Sequence, residues 1–449
     1  MPTAARTVPV VAGHPVIGSM LHLRSDFMGA FLRARETYGD VVHFKAGPPR
    51  MRFDLYCVFS ASAVQQVFSD SETYRKDNKI YGELRESLGN GLLTSQDETY
   101  LRQRRLLQPL FSNRTVDTYT TLMVEEVTRA IKSWGEVADV HETGTEISLQ
   151  VMARALYGSD VDSVIDVVRR VVPDWNAYTL RRAFEPVSIP RSWPTPANVR
   201  AAAAGQEMYD VCDEIIKRRR RMPDTGSTDM LSLLARARDE NGKPYSIAEI
   251  RDQVLIFLMA GRETTANALG FAMHLLGKHP EVQEMCRAEV LAAIGDRRPL
   301  PSDLMRLPYL TATLKEASRL FPSVPQLGRR PTKDTVIDGF HVPAGVDILI
   351  APWVTHRHPA YWPDPEVFDP TRFRPENEAS RPRYAYIPFG GGSRVCIGQY
   401  FSMLQSVLAL ALVLRSYRLE AIDLDVPLDY AITLIPKSPV RCRITPLRG

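Results

Sequence analysis

Phe389-Gly390-Gly391-Gly392-Ser393-Arg394-Val395-Cys396-Ile397-Gly398 is the stretch on which the reading of this 449-residue chain turns. Three consecutive glycines let the backbone adopt conformations that a Cβ forbids. Cys396 follows them and stands at the start of an apolar run, Gly398 to Leu414, that reads as a helix. Backbone N–H groups at a helix start, together with the helix dipole, favour a thiolate over a thiol. A thiolate is the form of sulfur that binds a metal ion. Arg394 offers a planar fork for a carboxylate, and Gly398 lets the helix approach a flat group closely. The competing reading is a buried structural cysteine beside a flexible turn, the common fate of a lone cysteine.

Three further motifs lie upstream. Glu316 and Arg319 are one helical turn apart in Leu314-Lys315-Glu316-Ala317-Ser318-Arg319-Leu320, a pairing that is common on surface helices. Ala260-Gly261-Arg262-Glu263-Thr264-Thr265 belongs to a long helical stretch that opens with a capping box, Ser246 and Glu249, and ends near His279-Pro280. The run Val254–Ala260 is apolar all round, which places this helix in the core. An acid and a threonine there are costly unless used or satisfied; the alternative for the threonine is a bond back to the carbonyl one turn earlier. Tyr100 and Arg104 are four residues apart and share a helix face.

The spacing Phe-x-x-Gly-x-Arg-x-Cys-x-Gly over residues 389–398 matches the haem-binding loop of cytochromes P450 at every defined position, and the chain resembles that family over roughly residues 12–445. The resemblance implies a mainly α fold with small β-sheets: the triangular cytochrome P450 fold, a single domain over residues 1–449 with a short flexible N-terminus at about 1–11. It implies haem b (iron protoporphyrin IX) with the Cys396 thiolate as axial ligand, whose electron push favours O–O cleavage. Phe389, Arg394 and Gly398 would line the cofactor, with Arg394 on a propionate. Arg104 and Arg329 would hold the propionates as well. Tyr100 stands where the family more often has tryptophan or histidine, and Arg330 is the neighbouring alternative to Arg329. Gly261 would leave room for oxygen. Thr264 and Glu263 resemble the family's catalytic alcohol–acid pair, Thr264 holding a hydrogen bond and Glu263 feeding protons. Arg372, in Phe368-Asp369-Pro370-Thr371-Arg372-Phe373, would join Glu316 and Arg319 in a buried structural network needed to retain haem.

Composition bounds the remaining classes. With 44% hydrophobic and 24% charged residues, the chain can bury a large core. A net charge of +4 carries no clustered basic face of the kind nucleic acid requires. Its one basic run, Lys217-Arg218-Arg219-Arg220-Arg221, follows apolar residues at helical spacing and reads as a helix end, or alternatively as a partner-binding patch. Five cysteines without C-x-x-C spacing exclude a fully paired disulfide framework and suit a reducing cytoplasm. There is no signal-peptide pattern and no run of about 18 apolar residues, so a soluble, bacterial-type monomer without a membrane span is expected. The Pro-rich break from Pro186 to Pro196 reads as a mobile loop.

Electrons must come from outside the chain: no Gly-x-Gly-x-x-Gly fingerprint follows a strand, and too few residues follow Gly398 for a flavin or ferredoxin domain. A ferredoxin with its ferredoxin reductase, drawing on NAD(P)H, is the expected donor, docking on Lys and Arg near the cysteine loop. The reaction expected is oxygen insertion into a small apolar substrate such as a terpenoid, fatty acid or polyketide. The variable segments 75–90, 170–195, Leu255–Gly261 and 322–328 supply Trp175, Tyr178, Phe184, Phe257, Val324 and Leu327, each equally readable as core. A haem-thiolate peroxygenase or isomerase, which would not need the acid–threonine pair, and a haem-based sensor, which would carry an output domain, are the rival classes. His356 and His358 lack a third ligand for a metal site.

Overall fold

The computed structural model describes residues 5–185, 188–222, 229–239, 242–430 and 432–447. Pro186 and Val187 of the predicted mobile loop lie outside the described residues, as do Met1–Ala4. The chain forms two compact units, Met1–Asn78 with Lys315–Cys396 and Lys79–Leu314 with Ile397–Gly449. Each unit draws on two separated stretches of sequence, which is why no linker is legible.

The first unit is built on a five-stranded sheet in the order Val41–Ala46, Phe53–Val58, Asp347–Ile350, Leu327–Pro331, Tyr74–Arg75. Side chains alternate across it with period two. Val41, Tyr56, Val58, Ile348 and Ile350 enter one apolar cluster, while Val42, Phe44, Cys57 and Leu349 enter another with Phe31 and Phe59. Both faces are therefore buried. A second sheet pairs Arg6–Thr7 with Phe340–Val342, which pairs with Thr335–Ile337. This corrects the flexible lead expected at about 1–11: from Arg6 onward the segment is docked, because its backbone bonds an open strand edge and Val8 and Val11 are buried.

The second unit is helical around Ile247–Lys278, whose N-terminus carries the expected capping box of Ser246 and Glu249. This core helix packs closely on Val140–Tyr157. A Cβ on Gly144 would stand 2.9 Å from the Ala266 carbonyl oxygen, and one on Gly270 2.9 Å from His141 Cα. The helix Gln399–Ser416, buried from Leu404 to Leu414, is tied to the core helix through Thr265 Oγ1 and Ser402 Oγ, 3.1 Å apart. A three-stranded sheet, Tyr417–Ala421, Arg441–Pro446 and Val137–Asp139, and the hairpin Leu428–Tyr430/Leu434–Pro436 complete it. The basic run ends the helix Pro196–Arg221: Arg218 and Arg219 pair with Asp160, and Arg220 donates to the Tyr245 carbonyl. Among the described residues no helix is long and apolar enough to cross a membrane.

In the first unit, Glu316 and Arg319 are both 0% exposed, so their pairing is not a surface ion pair. Arg319 makes a bidentate contact with Glu316, 2.7 Å on each arm, and its remaining N–H groups donate to the carbonyls of His356, Pro365 and Val367. Arg372 Nε stands 3.4 Å from Glu316, whose carboxylate also accepts from Asp369 N–H. Burial pushes the Glu316 carboxyl upward, opposed by these donors. In the His356/His358 pair, His356 Nε2 accepts from Ile387 N–H at 2.9 Å, and His358 Nε2 is 3.0 Å from Asp40. Removing Arg319 would strand a buried carboxylate, a change worth about 3–5 kcal/mol. Arg319→Ala is therefore expected to yield little soluble, haem-loaded protein, measured as haem per polypeptide and by thermal melting. Normal melting and full loading would contradict the network.

Candidate functional site

The cysteine loop is shaped by backbone that only glycine adopts cheaply. Gly390 has φ 70° and Gly392 φ 65°, in the left-handed region. A Cβ on Gly392 would lie 2.0 Å from the Phe68 carbonyl oxygen, and one on Gly391 2.7 Å from both the Phe68 and Tyr384 rings. Gly390 N–H donates to Ile387 O at 3.1 Å, and Cys396 N–H to Phe389 O at 3.0 Å. His356 anchors the loop's approach through Ile387 N–H, which requires an unprotonated Nε2. Burial and the neighbouring Arg319 and Arg357 depress His356 to a pKa of about 3. Gly398 is the N-cap of Gln399–Ser416 at φ −88°, so its backbone does not demand glycine; the lack of a side chain is what remains to explain it. Cys396 precedes that helix by three residues, and its own N–H closes the loop, so the preference for thiolate does not come from a free N–H on Cys396 itself.

Of the five cysteines, Cys396 alone is exposed. Burial raises Cys57 well above its ordinary value, Cys212 to about 11, and Cys286 and Cys442 to about 12, so those four stay protonated thiols. Arg394 is half-buried in the same loop. Arg329 is 4% exposed, and its hydrogen bond runs from NH1 to the Gly328 carbonyl at 2.7 Å. Its guanidinium lies 5.3 Å from the Phe68 ring centre, and among the described residues no carboxylate pairs with it. Arg330, the neighbouring alternative, is already bound to Asp347 at 2.7 Å. A buried guanidinium without a counter-charge is unfavourable by several kcal/mol unless an anion reaches it. The first unit thus offers an accessible sulfur and a cation in need of an anion, the donor set that a haem with propionates would satisfy.

In the second unit the core helix is buried from Gln253 to Leu258 and again from Thr265 to Asn267, but between them it opens. Ala260 is exposed, and Met259, Gly261, Arg262, Glu263 and Thr264 are half-buried. Thr264 Oγ1 donates to Ala260 O at 2.7 Å, the back-bond weighed as its alternative role. Glu263 accepts from Asn176 Nδ2 at 2.9 Å and from Thr433 Oγ1 at 3.0 Å. A Cβ on Gly261 would meet the mobile Met152 methyl at 2.4 Å, so crowding by protein alone does not force glycine there. Tyr100 is buried and Arg104 half-buried on one helix, Asp97–Leu107, at the expected spacing. The loop before that helix is clamped to the core helix: Asn90 N–H donates to Asp252 at 2.8 Å and Leu92 N–H to Gln253 at 2.9 Å. Asn176, Thr433, Asp252 and Gln253 escaped the sequence reading. Each is an ordinary polar residue without a motif, and only the fold brings it to its partner.

The aromatic candidates divide. Tyr178 donates to Asn198 at 2.7 Å, Trp175 meets Tyr209 edge-on at 6.3 Å, and Phe257 meets Phe111 at 4.9 Å. All three are buried. Phe184 is exposed, and Val324 and Leu327 are half-buried.

The sequence model described as cytochrome P450 matches residues 8–442. The chain belongs to the cytochrome P450 family. It is 34% identical over 397 residues to cyclooctat-9-en-7-ol 5-monooxygenase of Streptomyces melanosporofaciens, covering 87% of this chain and 85% of that one. It is 31% identical over 452 residues to pentalenene oxygenase of Streptomyces avermitilis, covering 99% and 97%. The structure of retinoic acid-bound cyanobacterial CYP120A1 superposes with a TM-score of 0.86 at 26% identity, covering 99% of this chain and 100% of that one. The fold is accordingly the cytochrome P450 fold, and the protein is a haem-thiolate monooxygenase whose cofactor is iron protoporphyrin IX with a cysteine axial ligand.

The loop geometry makes a sharp contrast. Gly392→Ala places a Cβ against the Phe68 carbonyl at positive φ, a strain of about 1–3 kcal/mol. It should lower the melting temperature and speed haem transfer to an apo-globin acceptor. Gly82→Ala, on the helix Lys79–Leu88 with nothing within 4 Å, should stabilise slightly. Equal melting of the two variants would contradict the loop's dependence on its backbone.

Proposed function

We propose that this enzyme inserts oxygen into a small apolar molecule of the terpenoid class, with Cys396 as the thiolate ligand. The observation that carries the reading is the pairing, in one unit, of the one exposed cysteine with the buried, uncompensated guanidinium of Arg329. Arg329 and Arg394 would hold haem propionates from the first unit, and Arg104, with Tyr100 as a phenol donor, from the second. Phe389 and Gly398 would border the macrocycle. When bound, the haem supplies the activation of dioxygen.

The chain's own groups manage protons and water. Thr264, with its proton directed to the Ala260 carbonyl, presents oxygen lone pairs at the opening of the core helix. Glu263, on the next residue, is the acid that resupplies protons, and Gly261 keeps the opening clear. The apolar core around Val254–Leu258 limits bulk water on the N-terminal side of that opening. Electrons come from an external ferredoxin and ferredoxin reductase drawing on NAD(P)H. The free thiols suit the reducing cytoplasm, where the enzyme would act as a monomer. The terpenoid class draws on the cyclooctatin-pathway and pentalenene relatives.

Thr264→Ala should keep haem and substrate binding yet divert reducing equivalents to peroxide, read as peroxide per NAD(P)H consumed. Titration with pentalenene and related cyclic terpenes should produce a binding-induced spectral shift. Unchanged peroxide yield would overturn the role of Thr264, and a terpene panel without any shift would overturn the substrate class.

A further inference from the structure

Both oxygens of the Glu263 carboxylate are occupied, each by one neutral donor from a different element. Asn176 Nδ2 reaches Oε1 from the helix Val161–Phe184, and Thr433 Oγ1 reaches Oε2 from the residue preceding the strand Leu434–Pro436. Among the described residues no arginine or lysine pairs with Glu263. The hairpin is held in place one helical turn further along: Asn267, four residues after Glu263 and so on the same face, donates to the Leu434 carbonyl at 2.5 Å. Asn267 is itself fixed by His141 Nε2 at 2.7 Å. Thr433 is 7% exposed, so its hydroxyl is set by the fold rather than by solvent.

The two donors are chemically unequal. An amide nitrogen only donates, whereas a hydroxyl donates and accepts. Thr433 can therefore stay bonded to Oε2 whether that oxygen is ionised or carries a proton, whereas Asn176 Nδ2 bonds Oε1 only while that oxygen is unprotonated. We propose that Thr433 is the proton-relay hydroxyl behind Glu263, and that Asn176 is the positioning residue that fixes the other oxygen. In the relay, Thr433 gives its proton to Glu263 Oε2 while taking one from a solvent hydronium ion, which is left as water. Two O–H bonds break as two form, and the hydroxyl ends as it began. Proton supply then runs past Thr433 at the start of the strand Leu434–Pro436, not along the core helix. This rests on the reading of Glu263 as the acid that resupplies protons.

The test compares Thr433→Val, which keeps shape and removes the hydroxyl, with Thr433→Ser, which restores it, and with Glu263→Gln, all as holoenzymes. The carboxylate stretch of Glu263 is isolated as the infrared difference between parent and Glu263→Gln. It should move in Thr433→Val and return in Thr433→Ser. Oxygen consumption driven by NADPH through a surrogate ferredoxin and reductase proceeds without added substrate. It should slow severalfold with an enlarged solvent hydrogen isotope effect in Thr433→Val and in Glu263→Gln, and recover in Thr433→Ser. A normal rate and isotope effect in Thr433→Val, with Glu263→Gln impaired, overturns the relay alone. Normal behaviour of Glu263→Gln overturns the reading of Glu263 and the relay with it.

Discussion

Arg319 has no exposure, yet all five of its N–H donors are used: three arms of its fork reach Glu316 and a carbonyl beside it, and the rest reach two further carbonyls. A guanidinium taken wholly out of water is tolerable only when every donor is matched. Its three carbonyl partners, on His356, Pro365 and Val367, belong to a stretch with little regular structure of its own. Within that stretch backbone turns close locally, and the buried ion ties the turns at His356, Pro365 and Val367 to the helix Pro308–Leu320. From that stretch, His356 grips Ile387, and Ile387 accepts from Gly390 where the cysteine loop begins. A continuous run of hydrogen bonds thus links the buried ion pair to the start of the cysteine loop.

The second unit solves a different problem. A helix of 32 residues is buried along most of its length, yet it opens around Ala260. Polar groups at such an opening must be held, and the protein does so with neutral partners. Thr264 bonds within its own helix, and Glu263 is shared between Asn176 and Thr433. Among the described residues no lysine or arginine pairs with that carboxylate, and both of its oxygens accept from neutral groups.

Much of this was legible in the sequence because it depends on local chemistry. The glycine run predicts a turn, and two of its glycines do take positive φ. The capping box at Ser246 and Glu249 forms as read, and Glu316 and Arg319 meet because a helix brings i and i+3 together. Where two readings competed, tertiary contacts add what the sequence lacks. Asp347 engages Arg330, leaving Arg329 without a counter-charge, and Trp175, Tyr178 and Phe257 each have a packing or hydrogen-bond partner. The docked Arg6–Thr7 strand, the Asp252 clamp and the Thr433 contact were not legible. Each joins residues far apart in sequence through single hydrogen bonds that leave no periodicity behind.

We propose that the exposed sulfur of Cys396 is the iron ligand and that the four buried thiols are not. Iron K-edge X-ray absorption on the haem-loaded protein tests it most directly. One sulfur scatterer should appear in the iron's inner shell in the parent protein, persist when Cys57, Cys212, Cys286 or Cys442 is replaced singly by alanine, and vanish in Cys396→His. A sulfur still bound to iron in Cys396→His would contradict the account.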